Sequence, residues 1–169
     1  MGEQTTDLIT TVLSAAEGEI VGRIRVQKIF YLLEQLGAET DLKFSYYHYG
    51  PYSDELSDAL DCAKADQVLN ETVHQTGEGF YSTYHLNNAS DVPPNALGKL
   101  DWTSLSNNVA AMKKRSSSVL EIAATIHWLQ HKEEIQEWEK ELKIRKPTKA
   151  TDERIREALG LLKELGLAA

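Results

Sequence analysis

A single cysteine, Cys62, stands among 169 residues, so no disulfide can form within the chain. Basic residues are also short: 18 lysines and arginines face 26 aspartates and glutamates, a net charge of −8. That balance discourages non-specific attraction to phosphate backbones and anionic membranes. No apolar run approaches the roughly 20 residues that span a bilayer, and Glu3 and Asp7 interrupt the N-terminus where a secretory leader would be basic and then apolar. A cytoplasmic protein without a membrane segment is the expectation. Neither a G-x-G-x-x-G nor a G-x-x-x-x-G-K-[ST] loop occurs, so the chain lacks the glycine cradles that bind phosphate.

What is present is apolar periodicity. Leu8, Ile9, Val12, Leu13 and Ala16 predict a first helix capped by Thr5 or Thr6 and closed by Gly18. Val26, Ile29, Phe30, Leu33 and Leu36 predict a second, from Arg25 to Gly37. Leu42 to His48 alternates as a strand, and Gly50-Pro51 reads as the turn after it. Ser53 caps a third helix carrying Leu56, Leu60 and Ala63, with Asp66 where a left-handed residue would close it. Two strands, 68–74 and 80–86, joined across Gly77 to Gly79, predict a β-hairpin.

Residues 87–107 change character, with Asn87, Asn88, Ser90, Pro93, Pro94 and Gly98 marking a loop or linker, and Leu105, Val109 and Met112 predict a short helix beyond it. Ser118 and Glu121 match a capping box. The helix they open, Val119 to His131, is apolar over most of its circumference and belongs at the centre of the fold. Ile135, Trp138 and Leu142 predict an amphipathic helix ended before Lys146-Pro147. A last helix, Asp152 to Leu165, carries Ile155, Ala158, Leu159 and Leu162 and stops at Gly166. The expected architecture is one α+β domain over 1–169, mainly helical with a small antiparallel sheet. Its parts are a winged-helix-like core over 1–86, a linker with a short helix over 87–115, and C-terminal helices over 116–169.

Residues of types that carry chemistry elsewhere have simpler readings here. His127 and His131 share a helix face, but the metalloprotease glutamate between them is missing and no third ligand suggests itself, so a histidine at the core edge is expected. Cys62 lies near Asp58 and Asp61, which raise a thiol's pKa and argue against a nucleophile; a buried structural cysteine is expected. No enzyme activity, metal or cofactor is expected.

The helix–strand–helix–hairpin order would place residues 53–66 in a DNA major groove and 70–84 as the wing. Over 53–71, however, Asp54, Glu55, Asp58, Asp61, Asp66 and Glu71 face Lys64 alone, a net −5 that phosphates would repel. DNA binding is the alternative reading, resting on Arg23, Arg25, Lys28 and Lys113 to Arg115. Six of seven tyrosines fall between 46 and 84, and tyrosine is enriched at protein interfaces for its large ring and polar tip. The expected contact surface is Tyr47, Tyr49, Pro51, Tyr52 and Glu55, flanked by Gln27 and Lys28, with Asp54, Glu55 and Asp58 steering a basic protein partner.

The run Val26 to Leu33, the Tyr49-Gly50-Pro51-Tyr52-Ser53 turn and the Leu56/Leu60 pair together resemble the Panacea domain. That group of small bacterial, archaeal and phage proteins includes antitoxins and the SocA-type proteolytic adaptor. The likeness covers residues 8–86 well and 116–168 loosely. It implies a non-enzymatic role, binding and neutralising a toxin partner or delivering one to a protease.

Overall fold

A computed structural model describes residues 2–88 and 96–168, with side chains from Thr6 onward. Its elements in chain order are α1 (Gly2–Ala15), β1 (Glu19–Val21), α2 (Arg23–Gln35), β2 (Ser45–Tyr47), β3 (Gly50–Tyr52), α3 (Asp54–Ala65), β4 (Leu69–Thr76) and β5 (Gly79–Leu86). Four helices follow: α4 (Trp102–Lys113), α5 (Ser117–His131), α6 (Trp138–Arg145) and α7 (Asp152–Leu165). The mainly helical α+β expectation holds.

Two small antiparallel sheets form. One has the order β1-β5-β4, and the other is the β2–β3 pair. With β1 on the far edge beside the β4–β5 hairpin, residues 2–86 have the winged-helix-like arrangement. β1 escapes sequence reading because only Ile20 of its three residues is buried, too few for a period to appear. The predicted strand 42–48 shrinks to Ser45–Tyr47, and Gly50-Pro51 lies in β3 rather than in a turn: Tyr47 pairs with Gly50, so His48 and Tyr49 make the bend.

Several helix ends also differ from expectation. α1 begins before Thr5 and Thr6, so neither is its cap. The left-handed residue after α3 is Gln67, while Asp66 keeps a negative φ. Ser116, not Ser118, caps α5 by accepting from the Val119 amide, which frees Glu121 for another role. α6 begins only at Trp138, after Ile135. Gly166 is the left-handed cap of α7, as read. Leu159 is exposed, and Leu161 takes the buried place beside Leu162. Ser90, Pro93 and Pro94 of the predicted linker lie outside the described residues.

α5 is the hub, packed by α2, α6, α7 and β3. Ten of its side chains, from Val119 to His127 and Leu129, are buried. A helix so enclosed tolerates little loss of volume. Leu120→Ala is expected to destabilise the fold by about 2–5 kcal/mol, while Leu159→Ala on the exposed side changes stability by less than about 0.5 kcal/mol; urea unfolding followed by circular dichroism measures both.

Candidate functional site

The β2–β3 pair is too short to stabilise itself, and α2 supplies what it lacks. The Gln27 side-chain amide donates to the Ser53 carbonyl and accepts from the Ser53 amide, both at 2.9 Å. It therefore bonds the chain as a neighbouring strand would. Ser53 uses its own hydroxyl to accept from the Leu56 amide at 3.1 Å and start α3. One helical turn of α2 thus sets both the end of β3 and the first turn of α3.

Lys28 donates from Nζ to the Pro51 carbonyl at 2.7 Å. Gln27, Lys28, Ser53 and Pro51 are all buried. This corrects the expectation that Gln27, Lys28 and Pro51 lie on a contact surface: they are enclosed beneath the tyrosine corner. Burial is also the main reason the Lys28 amine falls to about 7; the Glu121 carboxylate opposes the fall, and the Lys146 and Lys149 amines add to it.

Gly50 sits where α5 passes. Its φ is +87°, and a Cβ there would lie 2.6 Å from Thr125 Oγ1. Only glycine meets both conditions.

The C-terminal helices close the other side. Glu121, buried in α5, pairs with Lys149 at 2.8 Å and Lys146 at 2.9 Å, the latter a charge contact outside hydrogen-bond geometry. Lys146 also donates to the His48 carbonyl at 2.6 Å, and Lys149 sits over the Tyr49 ring, 4.7 Å from its centroid. Arg145, held by Glu133 through two bonds of 2.7 Å, lies 4.8 Å over Tyr46. Sequence reading missed this grip. Its one signal was a glutamate on an otherwise apolar helix, which the capping-box assignment explained away.

What the scaffold displays is aromatic and acidic. Tyr47 is 45% exposed and Tyr49 51%. Tyr52 is half-buried, edge-on to Tyr47 with centroids 5.6 Å apart. The Tyr47 hydroxyl donates to Asp54 at 3.2 Å. Half-buried Glu55 accepts from the Lys43 amide, which pins the loop ahead of β2 to α3. Asp58 is exposed beside them.

The remaining candidates have plain surroundings. Cys62 is exposed, not buried as expected, because it falls on the outer face of α3. His127 is buried, with Nδ1 at 2.9 Å from the Tyr31 hydroxyl. Burial first, then His131 and Lys132, lowers it to about 4, so it is neutral near pH 7. Burial also holds the Tyr31 hydroxyl protonated, so the contact joins two neutral side chains. Among the described residues no group of three or more histidines, cysteines or carboxylates could hold a metal, and no helix is long and apolar enough to cross a membrane.

The basic residues behind the DNA-binding alternative are tied into the fold. Arg23 bonds Tyr84, Ser57 and Asp61, and Arg25 bonds the Val21 and Arg115 carbonyls. Lys113 bonds the Ala16 carbonyl, and Lys114 and Arg115 pair with Glu164.

The chain is similar to YwgA of Bacillus subtilis (strain 168), described as an uncharacterised protein. The two are 29% identical over 148 residues, covering 88% of this chain and 89% of that one. No family model matches the chain.

Two outcomes test the scaffold. Gly50→Ala is expected to cost about 2–4 kcal/mol, from strain at positive φ and the Thr125 clash together, read by urea unfolding. Lys28 binds its proton less tightly folded, at about 7, than at its ordinary 10.5. Between those values the unfolded chain holds a proton the folded one lacks. The Lys28 contribution is therefore present above pH 10.5 and lost as pH falls to about 7, at up to about 1.4 kcal/mol per pH unit. Unfolding at pH 7 and pH 9 should show wild type gaining stability relative to Lys28→Met; equal gains in both would remove Lys28 as the cause.

Proposed function

We propose that this chain is a non-enzymatic protein-binding module of the cytoplasm, antitoxin-like, that docks a basic protein through Tyr47, Tyr49 and Tyr52 with Asp54, Glu55 and Asp58. One observation carries this reading. A buried glutamine and a buried lysine are committed to fixing a three-residue strand, and the outward side of that corner is two half-exposed tyrosines beside an acidic helix start. Rings held rigid before binding lose little entropy on contact, which is how tyrosines become anchors. Acids around them speed the approach of a basic partner and select its sign.

The likeness of the Val26–Leu33 and Tyr49–Ser53 segments to the Panacea domain supports the same class of role, neutralising a toxin or handing one to a protease. Binding of DNA is the second reading, favoured by the winged-helix-like order of residues 2–86. Charge weighs against it: the α3 surface is acidic, and the arginines near it are bonded within the fold.

The test is co-expression with a toxic open reading frame encoded beside the gene. Wild type is expected to restore growth and to co-purify with the product. Tyr49→Ala is expected to weaken the complex by about 2 kcal/mol, on the order of thirtyfold, and Asp54→Lys with Asp58→Lys to slow association, with helicity unchanged. Undiminished binding by both variants would overturn the docking surface. Salt-sensitive binding of duplex DNA, lost with Lys114→Ala and unaffected by Tyr49→Ala, would favour the second reading.

A further inference from the structure

The wing is built unlike a protected sheet edge. β4 pairs with β5 without interruption from Leu69↔Leu86 to Thr76↔Gly79, and among the described residues no strand pairs with its other side. The two-residue loop Gly77-Glu78 makes Thr76 and Gly79 the bonded pair that closes the turn. Bonding alternates from there, so Asn70, Thr72, His74 and Thr76 face β5. The amides and carbonyls of Leu69, Glu71, Val73 and Gln75 face outward. An independent contact agrees: the Ser82 carbonyl, opposite Val73, accepts from Gly22 on the β1 side at 2.6 Å rather than from β4.

Edges are ordinarily guarded by proline, lysine, a bulge, an inward charge or a covering element. Residues 69–76 contain no proline, lysine or arginine, and the register has no bulge. The one charge, Glu71, is bonded to Lys64 at 2.7 Å and to Ser82 at 2.5 Å. Thr72, Val73, Gln75 and Thr76 are exposed, so nothing among the described residues covers this length. Val73 at its centre is 60% exposed, and Phe80, diagonal to it on the same face, is 72% exposed.

We propose that β4 is a dimerisation edge, on which a second copy of this chain pairs antiparallel about Val73 and joins two three-stranded sheets into one of six. The chain's own charges select the occupant and the register. Although the chain carries −8 overall, this edge is close to neutral because Lys64 offsets Glu71, so two copies meet here without the repulsion they would meet along α3. Centred on Val73, the pairing sets Glu71 against the second copy's Gln75 and Thr72 against its His74. Centring on Glu71 would oppose two carboxylates, which disfavours that register. The Val73 register also runs Phe80, Val73, the second copy's Val73 and its Phe80 into one apolar stripe across the new sheet, covering side chains that a lone chain leaves wet.

Sedimentation equilibrium of the full chain across the micromolar range tests this. Wild type is expected to form a dimer, with amides of Glu71, Val73 and Gln75 protected from hydrogen exchange only at high concentration. Val73→Pro deletes an outward amide without touching the β4–β5 ladder and should be monomeric with unchanged helicity. Val73→Lys and Val73→Glu should each be monomeric alone, since like charges would oppose across the two-fold, yet form a one-to-one heterodimer when mixed. Tyr49→Ala should dimerise as wild type does, which separates this edge from the tyrosine corner. A wild type that stays monomeric, or a dimer that survives both Val73→Pro and Val73→Lys, would overturn the proposal.

Discussion

A strand of three residues beginning Gly-Pro cannot keep itself in place, and the architecture around the tyrosine corner follows from that constraint. Proline contributes no amide to a ladder, and one hairpin of this length is not stable in water. Gln27 stands in for the missing neighbour by matching both polar groups of the Ser53 backbone. Because Ser53 also caps α3, one side chain of α2 sets the height of the hairpin and the starting point of the acidic helix together. A shorter residue at 27 would leave a buried amide and carbonyl less well satisfied, a cost the native fold avoids.

The second support is electrostatic. Lys28 reaches the hairpin from α2, while Glu121 gathers Lys146 and Lys149 beneath and beside it. Three amines around one carboxylate carry an excess of positive charge that burial penalises, and the structure relieves it at Lys28, whose proton is held loosely. Lys146 is bonded to the hairpin and lies beyond α6 in sequence, so the grip closes only when the C-terminal helices have docked on α5. The N-terminal core and the C-terminal helices are therefore coupled through the same few side chains that position the tyrosines.

The features legible in the sequence are those with long periods or strong punctuation. α2, α5 and α7, the Ser53 cap and the β4–β5 hairpin are readable because each places many residues in agreement. β1 and β3 are not, since each is three residues long and β3 is spelled with two residues that usually break structure. Tyr46 is half-buried and Tyr47 exposed, as the alternation of side chains along β2 requires. The burial of Gln27 and Lys28 was hidden for a different reason: helical periodicity assigns polar residues outward, and these two are enclosed only because α2 meets β3 and α5 on its other faces. Eight consecutive buried residues from Val26 to Leu33 mark a helix surrounded by protein, and its polar members become fasteners.

The winged-helix-like arrangement is used with its charge reversed. Arg23, at the start of α2, would be free to meet phosphate in a DNA-binding protein. Here it joins Tyr84 of the wing strand to Ser57 and Asp61 of α3, so the cation is consumed in fixing the wing against the helix. The energy of that cross-link is modest, since Asp61 is well exposed, but its geometric effect is not. Asp54, Glu55 and Asp58 on α3 enter no ion pair among the described residues, and the one charge of edge strand β4, Glu71, is matched by Lys64. On the proposed readings, that distribution disfavours nucleic acid along the helix and gives a polypeptide two different grips, aromatic at the β2–β3 bend and backbone at β4. Recognition through side chains and recognition through main chain differ in what they require, and the two proposed surfaces lie on separate elements, so a substitution in one leaves the other intact.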